Sequence, residues 1–158
     1  MKIINYQPEY QVYFRDLNLS WLEEYFTVEP FDQYAFDNPE EAVLKEGGRI
    51  IFAENEGEIV GTVALKFVEP GIFEMAKMAV RKDVRGLGTG KLLCNAIVEI
   101  ARNMNATKLI LYSSKQLKPA IAMYLKMGFT EIPLEPGLYK RADIKMELVL
   151  QTQINRIL

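Results

Sequence analysis

The stretch "DVRGLGTGKLL", residues 83 to 93, sets three glycines at alternate positions after an arginine and runs straight into a helical pattern. Glycine in series costs backbone entropy, so such a cluster in a folded chain answers a need of the backbone. At a helix N-terminus the first N–H groups lack intrahelical acceptors, and the helix dipole adds partial positive charge there. Gly86, Gly88 and Gly90 let those donors converge, and their missing Cβ atoms allow a ligand close approach. That is an anion cradle suited to phosphate or pyrophosphate, with Arg85 and Lys91 as mobile positive charge beside it. The plain alternative is a glycine-rich turn with a structural task.

Two nucleotide motifs do not fit this loop. A P-loop needs Gly six residues before its Lys and Ser or Thr just after, where Lys91 has Arg85 and Leu92. A dinucleotide fingerprint begun at Gly86 or Gly88 needs Gly or Ala where the chain has Lys91 or Leu93. The sequence also holds no histidine, which removes the commonest general base, Ser-His-Asp triads and the usual catalytic zinc sets. Chemistry here falls to carboxylate, Tyr, Lys, backbone or bound water, and no metal is expected.

The elements that position this loop are readable from the pattern around it. "KIINY" reads as a first strand, and residues 8 to 26 as an irregular helical region with Ser20 as N-cap for "WLEEYF". "DNPEEAVLKEGG" predicts a helix entered through Asn38 and Pro39 and left at Gly47. "RIIFAE", "NEGE" and "IVGTVALKFV" predict an antiparallel hairpin, and "EPG" turns into the strand "IFEMAKMAV". Leu92, Leu93, Ala96, Ile97, Ile100 and Ala101 recur at helical spacing, giving a helix over about 88 to 103. "KLILYSS" follows as a strand, so strands 73–80 and 108–114 form a parallel βαβ pair. Pro119 opens a helix that Gly128 closes, and "DIKMELVL" alternates as a half-buried last strand. The expected class is α/β: a mixed central sheet, antiparallel in its N-terminal strands with a parallel central pair, flanked by helices.

At 158 residues the chain suits one domain over residues 1–158, and 49% hydrophobic with 25% charged residues is ordinary for a soluble protein. A net charge of −2 gives no general attraction to nucleic acid or anionic membrane, so an anionic ligand needs a local site. The lone Cys94 sits in a helical run and reads as packing. Without an apolar run of spanning length or a signal-type N-terminus, a cytoplasmic protein is expected.

On these residues the chain resembles the GNAT superfamily of N-acetyltransferases. Arg85, Gly88 and Gly90 match the family's signature of Arg or Gln, two residues, Gly, one residue, then Gly or Ala, with Gly86 as the usual extra glycine. "FEMAKMAV" looks like the family's central strand and "AIAMYLKMGF" like its second cofactor motif, and the order of elements agrees from about residue 3 to 150. "LNLSWLEEYF" and "YKRADIKMEL" resemble a bacterial branch of the superfamily. The resemblance implies a GNAT-like acyl-CoA N-acyltransferase fold with acetyl-CoA as co-substrate. Its pyrophosphate would sit on Arg85, Gly86, Leu87, Gly88, Thr89 and Gly90, with Lys91 beside it, and its pantetheine arm along Met78, Ala79 and Val80. It also implies that the two parallel strands splay apart.

The resemblance implies roles for particular side chains. Tyr124, before "LKMGF", matches the family tyrosine that reaches the CoA sulfur, and a phenol with a pKa of about 10 keeps its proton at neutral pH. A ring packed under the sheet is the other reading. Glu74, six residues before Val80, stands where some members carry a base for the amine. Alternatively a strand bulge brings it to Lys77 as an ion pair. The backbone N–H of Met78 is the oxyanion donor, and Ser114 replaces the Asn that touches cofactor in many relatives. Trp21, Tyr25, Phe26, Phe31 and Tyr34 lie where the family builds its acceptor pocket or in the core. Glu23, Glu24, Glu29 and Asp32 would attract a cationic amine or form a solvated face, and Arg141 and Asp143 stand near the acceptor. The implied activity is N-acetylation of a small-molecule primary amine, an amino acid or analogue, in a ternary complex. The alternatives are a protein or peptide acceptor and an acyl-CoA sensor without turnover. A homodimer is compatible with the sequence.

Overall fold

The alternating pattern of residues 49 to 80 folds as three antiparallel strands, β2 (Arg49–Asn55), β3 (Glu58–Glu69) and β4 (Ile72–Val80), in the computed structural model, which describes residues 1–137 and 139–150. β1 (Lys2–Asn5), β5 (Lys108–Ser113), β6 (Thr130–Ile132) and β7 (Ile144–Val149) complete one sheet in the order β1-β2-β3-β4-β5-β7-β6. Among the described residues β4 and β5 are the parallel pair, and all other neighbours are antiparallel. The crossover between them is α3 (Thr89–Asn103), as the strand, helix, strand reading requires.

Side-chain alternation divides the core into two layers. On β2, Ile51 and Ala53 face the α3 layer, where Leu93, Cys94, Ile97 and Ala101 are sealed. Ile50 and Phe52 face the other way, onto Phe14 and Leu22 of α1 (Gln11–Tyr25) and Phe36 of α2 (Pro30–Asp37). Truncating Ile97, wholly buried, to Ala would cost about 2–5 kcal/mol in transfer and cavity energy. Burial pushes the Cys94 thiol up to about 12, so this cysteine packs as expected.

Two local readings are corrected and one helix is added. α1 runs unbroken through Ser20, because Phe14, Asn18 and Leu22 continue one buried stripe across it. The helix expected from Asn38 to Gly47 shrinks to one wide turn, Glu40–Leu44, which seats Val43 in the core. α2 is an addition to the expected elements; Glu29 and Asp32 cap it reciprocally, each side chain accepting from the other's backbone N–H. α4 (Lys118–Lys126) forms behind Leu117 with Pro119 in its first turn.

Two irregularities in β4 matter most. Its register with β5 runs Ile72↔Lys108, Phe73↔Leu109 and Glu74↔Ile110, then stops although both strands continue. The implied splay is therefore present, with Glu74 at the fork. On the other edge, Thr62↔Ala79 and Ala64↔Ala76 leave Lys77 and Met78 opposite Val63, a bulge in which Lys77 takes φ 57°. The extra residue reverses the alternation. Phe73 and Met75 face the α3 layer before it, Met78 and Val80 after it, so Glu74 and Lys77 share the α1 and α2 face.

Candidate active site

The gap between β4 and β5 opens into a cleft of roughly 660 Å³. The glycine loop lies at one end; Glu74, Lys77, Tyr139 and Arg141 line the other, with Met78, Val80, Ser114 and Tyr124 also in its walls. Trp21, Leu22, Tyr25 and Phe26 of α1 form one wall, and Tyr139, Arg141 and Ala142 contribute a second.

The loop is shaped as its composition demands. Gly86 and Gly88 take φ 86° and 84°, a region costly for residues with a Cβ. Gly88 is the N-cap of α3, no side chain caps the helix, and the first helical bond runs from Leu92 N–H to Gly88 O at 3.0 Å. The N–H groups of Thr89, Gly90 and Lys91 therefore lack intrahelical acceptors. A Cβ built at Gly86 or Gly88 would meet nothing within 4 Å, so the space above the loop is free. These features fit a pyrophosphate.

Neighbouring expectations need adjustment. Arg85 is not a mobile charge: its Nε donates to Val80 O at 3.1 Å and its Nη1 to Glu24 at 2.9 and 3.1 Å. That bond holds the Glu24 carboxyl below its usual range. The Arg85 N–H turns back to Lys82 O at 3.4 Å, so the free donors begin after it. Leu87 is 66% exposed and lies outside the cleft lining, while Lys91 is exposed at the cleft end.

Beyond the fork β4 has a free edge. Arg81 N–H donates across to Val60 O at 2.8 Å, so strand alternation sends the N–H groups of Met78 and Val80 toward the gap. Ala79 and Thr89 are buried beside this edge, and the Thr89 hydroxyl donates to Met1 Sδ at 3.3 Å. Ser114 is buried in the cleft wall, where its carbonyl accepts from Leu117 N–H at 3.0 Å. Tyr124 packs edge-on to Phe129 with centroids 5.8 Å apart. Its hydroxyl has no hydrogen-bond partner among the described residues, and burial pushes its pKa upward.

Glu74 is 7% exposed, and burial raises its carboxyl above the ordinary range despite the pull of Lys66, the Tyr139 hydroxyl, Lys77 and Lys145. The bulge does bring Lys77 to its face, but Lys77 bonds Asp32 at 2.7 Å instead. Glu74 accepts from Tyr139 Oη at 3.0 Å. The acidic segment is likewise neutralised from within. Arg141 donates to both Asp32 oxygens at 2.8 Å and to Glu29 at 3.2 Å. Asp143 accepts from the Lys115 N–H at 2.7 Å and is tied to that turn. Phe31 packs at a tilt against Tyr139 and Tyr34 points to solvent, so Trp21, Tyr25 and Phe26 are the predicted aromatics in the cleft. Tyr139 joins the site without a role read from the sequence: it opens the block "YKRADIKMEL", whose resemblance to a bacterial branch names no partner for the tyrosine.

Known proteins resemble this chain in sequence and in fold. The profile of the "Acetyltransferase (GNAT) family" matches residues 12–129. The chain is 33% identical over 99 residues to the uncharacterised N-acetyltransferase YjgM of Escherichia coli, covering 61% of this chain and 59% of that protein. It is 31% identical over 84 residues to an uncharacterised N-acetyltransferase of Schizosaccharomyces pombe, 52% of each. The chain thus spans little more than half the length of these curated relatives. A GNAT-family acetyltransferase structure from Staphylococcus aureus superposes with TM-score 0.84 at 25% identity, over 95% of this chain and 99% of that one. The yncA structure from Salmonella typhimurium, determined with its cofactor acetyl-CoA, superposes with TM-score 0.75 at 16% identity, over 97% and 95%. A family profile that spans the fork, the glycine turn and the tyrosine helix closes the assignment: the chain belongs to the GNAT family of acetyltransferases.

Proposed function

We propose that this chain is an acetyl-CoA-dependent N-acetyltransferase acting on the primary amine of a small molecule, an amino acid or an analogue, by direct attack with both substrates bound. The observation that carries the reading is the fork itself. A buried carboxylate, Glu74, stands where β4 and β5 part, and the free edge of β4 leads from it toward an uncapped helix N-terminus. A small acceptor suits a cleft walled by α1 on one side and residues 139–142 on another.

When bound, acetyl-CoA supplies an activated acetyl carbonyl and a thiolate leaving group. The glycine loop and first turn of α3 bind its phosphates through backbone N–H groups. The edge of β4 orients the pantetheine arm as an added strand. Glu74 Oε1 takes the proton from the acceptor amine, a task to which its raised pKa is matched. Met78 N–H donates to the oxygen on which charge develops. Tyr124 Oη, kept protonated by burial, donates to the departing sulfur. Holding both partners in one cleft supplies much of the acceleration.

The test is calorimetric titration with acetyl-CoA, followed by free-thiol release across a panel of small amines, amino acids and peptides. Binding with release driven by small amines supports the proposal. Release driven by peptides alone moves the acceptor to protein. Binding without release from any acceptor points to the sensor, and absence of binding overturns the reading.

A further inference from the structure

One contact at the Glu74 carboxylate extends the role of that group as the base, and depends on it. Tyr139 Oη donates to Glu74 Oε2 at 3.0 Å across 65 residues of sequence. Among the described residues Oε1 has no hydrogen-bond partner, and Glu74 lines the cleft, so Oε1 is the oxygen offered to a ligand. The torsion that turns a carboxylate is broad, so an untethered Glu would present either oxygen in many directions.

Tyr139 is itself held. Its ring meets Tyr112 edge-on at 5.1 Å and Phe31 at 5.3 Å. Two residues on, Arg141 grips Asp32 with two bonds of 2.8 Å, which fixes the backbone leaving the tyrosine. We infer that Tyr139 is a positioning residue for Glu74: its hydroxyl pins Oε2, aims Oε1 at the acceptor amine and stabilises the ionised carboxyl.

Other groups act on the same carboxyl. Lys66 reaches it from β3, Lys77 from its own strand and Lys145 from β7. Arg141 and Tyr112 face Tyr139 from the chain beyond it and from β5. α1 contributes Tyr25 to the cleft, bonded toward Arg85, and α3 contributes Lys91. Of these, Tyr139 alone is in hydrogen-bond contact with Glu74 among the described residues.

The test is Tyr139→Phe, which keeps the ring and removes the donor. Carbon NMR of labelled Glu carboxyls, with Glu74→Gln to assign the signal, reads the Glu74 titration, and kcat/KM is measured against pH. Loss of the donor moves both the carboxyl midpoint and the acid limb of kcat/KM to higher pH. Below the midpoint kcat/KM falls about tenfold, and in the alkaline plateau a smaller loss remains, because the carboxylate is ionised there but no longer aimed. A merely structural tyrosine would lower the rate evenly at all pH. An unmoved carboxyl midpoint in Tyr139→Phe overturns the positioning role. A moved midpoint with an unmoved acid limb shows that Glu74 is not the base, and the catalytic part of the inference falls with it.

Discussion

Lys77 Nζ lies 2.7 Å from Asp32 Oδ1, with 6% and 0% of the two side chains exposed. The bulge in β4 that turns Lys77 out of register thus joins the sheet to α2. The same carboxylate receives the fork of Arg141, so Asp32 fastens three parts of the chain: α2, β4 and the segment before β7. Removing Asp32 leaves Lys77 buried against aromatic rings without its carboxylate and leaves the half-buried Arg141 with Glu29 alone, whereas removing Lys77 leaves Asp32 with Arg141.

Asp32→Ala is expected to lose about 3 kcal/mol of stability, and Lys77→Met clearly less. Urea unfolding of both variants checks the order, and equal losses would show that the Lys77 bond dominates. Burial alone would push the Asp32 carboxyl up, but hydrogen bonds from Arg141 and Lys77 outweigh it and hold the pKa low. The stability it lends is complete above the unfolded value of about 3.9 and is lost as pH falls through the folded value. Urea midpoints followed into acid should fall later in Asp32→Ala, which has already lost this contribution.

Glu74 carries the opposite sign. Its folded pKa is raised by burial, so the folded state gives up stability as pH rises from the unfolded value through the folded one. Glu74→Gln should therefore melt higher than wild type at neutral pH while kcat/KM drops by about 10²–10⁴. Calorimetry with steady-state rates checks both. A variant as active as wild type removes Glu74 from the chemistry.

Tyr124→Phe should leave the melting temperature nearly unchanged, since the ring keeps Phe129 and the hydroxyl has no hydrogen-bond partner among the described residues. Its kcat should fall more than its KM rises. Turnover at the wild-type rate would reduce Tyr124 to packing.

Gly88 separates strain from blockage. With φ 84° and open space where a Cβ would stand, Gly88→Ala should cost about 1–2 kcal/mol and still bind CoA. Gly88→Glu places a carboxylate over the donors and should abolish binding in a folded protein. Titration calorimetry on the two variants decides, and equal CoA affinity in Gly88→Glu would dismiss the cradle.

Local features are the ones legible in the sequence. The glycine loop, α3 and the strands around them are each written in a run of consecutive residues, so type, order and the parallel pair are readable. α2 escapes because eight residues with a cap formed from Glu29 and Asp32 carry little periodicity. Lys77 escapes in part: a bulge is one reading of its strand, but its partner lies 45 residues away and nothing in either segment names the other. The contacts of Tyr139 with Glu74 and of Arg141 with Asp32 span 65 and 109 residues. Such contacts are set by how layers pack, and hydrogen-bond geometry at that range leaves no mark in local pattern.

The interruption between β4 and β5 has a consequence for hydrogen exchange. Strands in the middle of a sheet normally hold the slowest-exchanging amides, because both neighbours protect them. In this seven-stranded sheet Met78 and Val80 sit in the centre yet face no strand on one side. Their amides should exchange faster than those of the shorter, peripheral β1, which inverts the usual gradient from rim to core. An unpaired edge is also where foreign strands attach, but this one is recessed between α1 and residues 139–142 in the middle of the sheet. The fold thereby keeps a reactive edge inside itself without the aggregation hazard that such an edge carries at the rim.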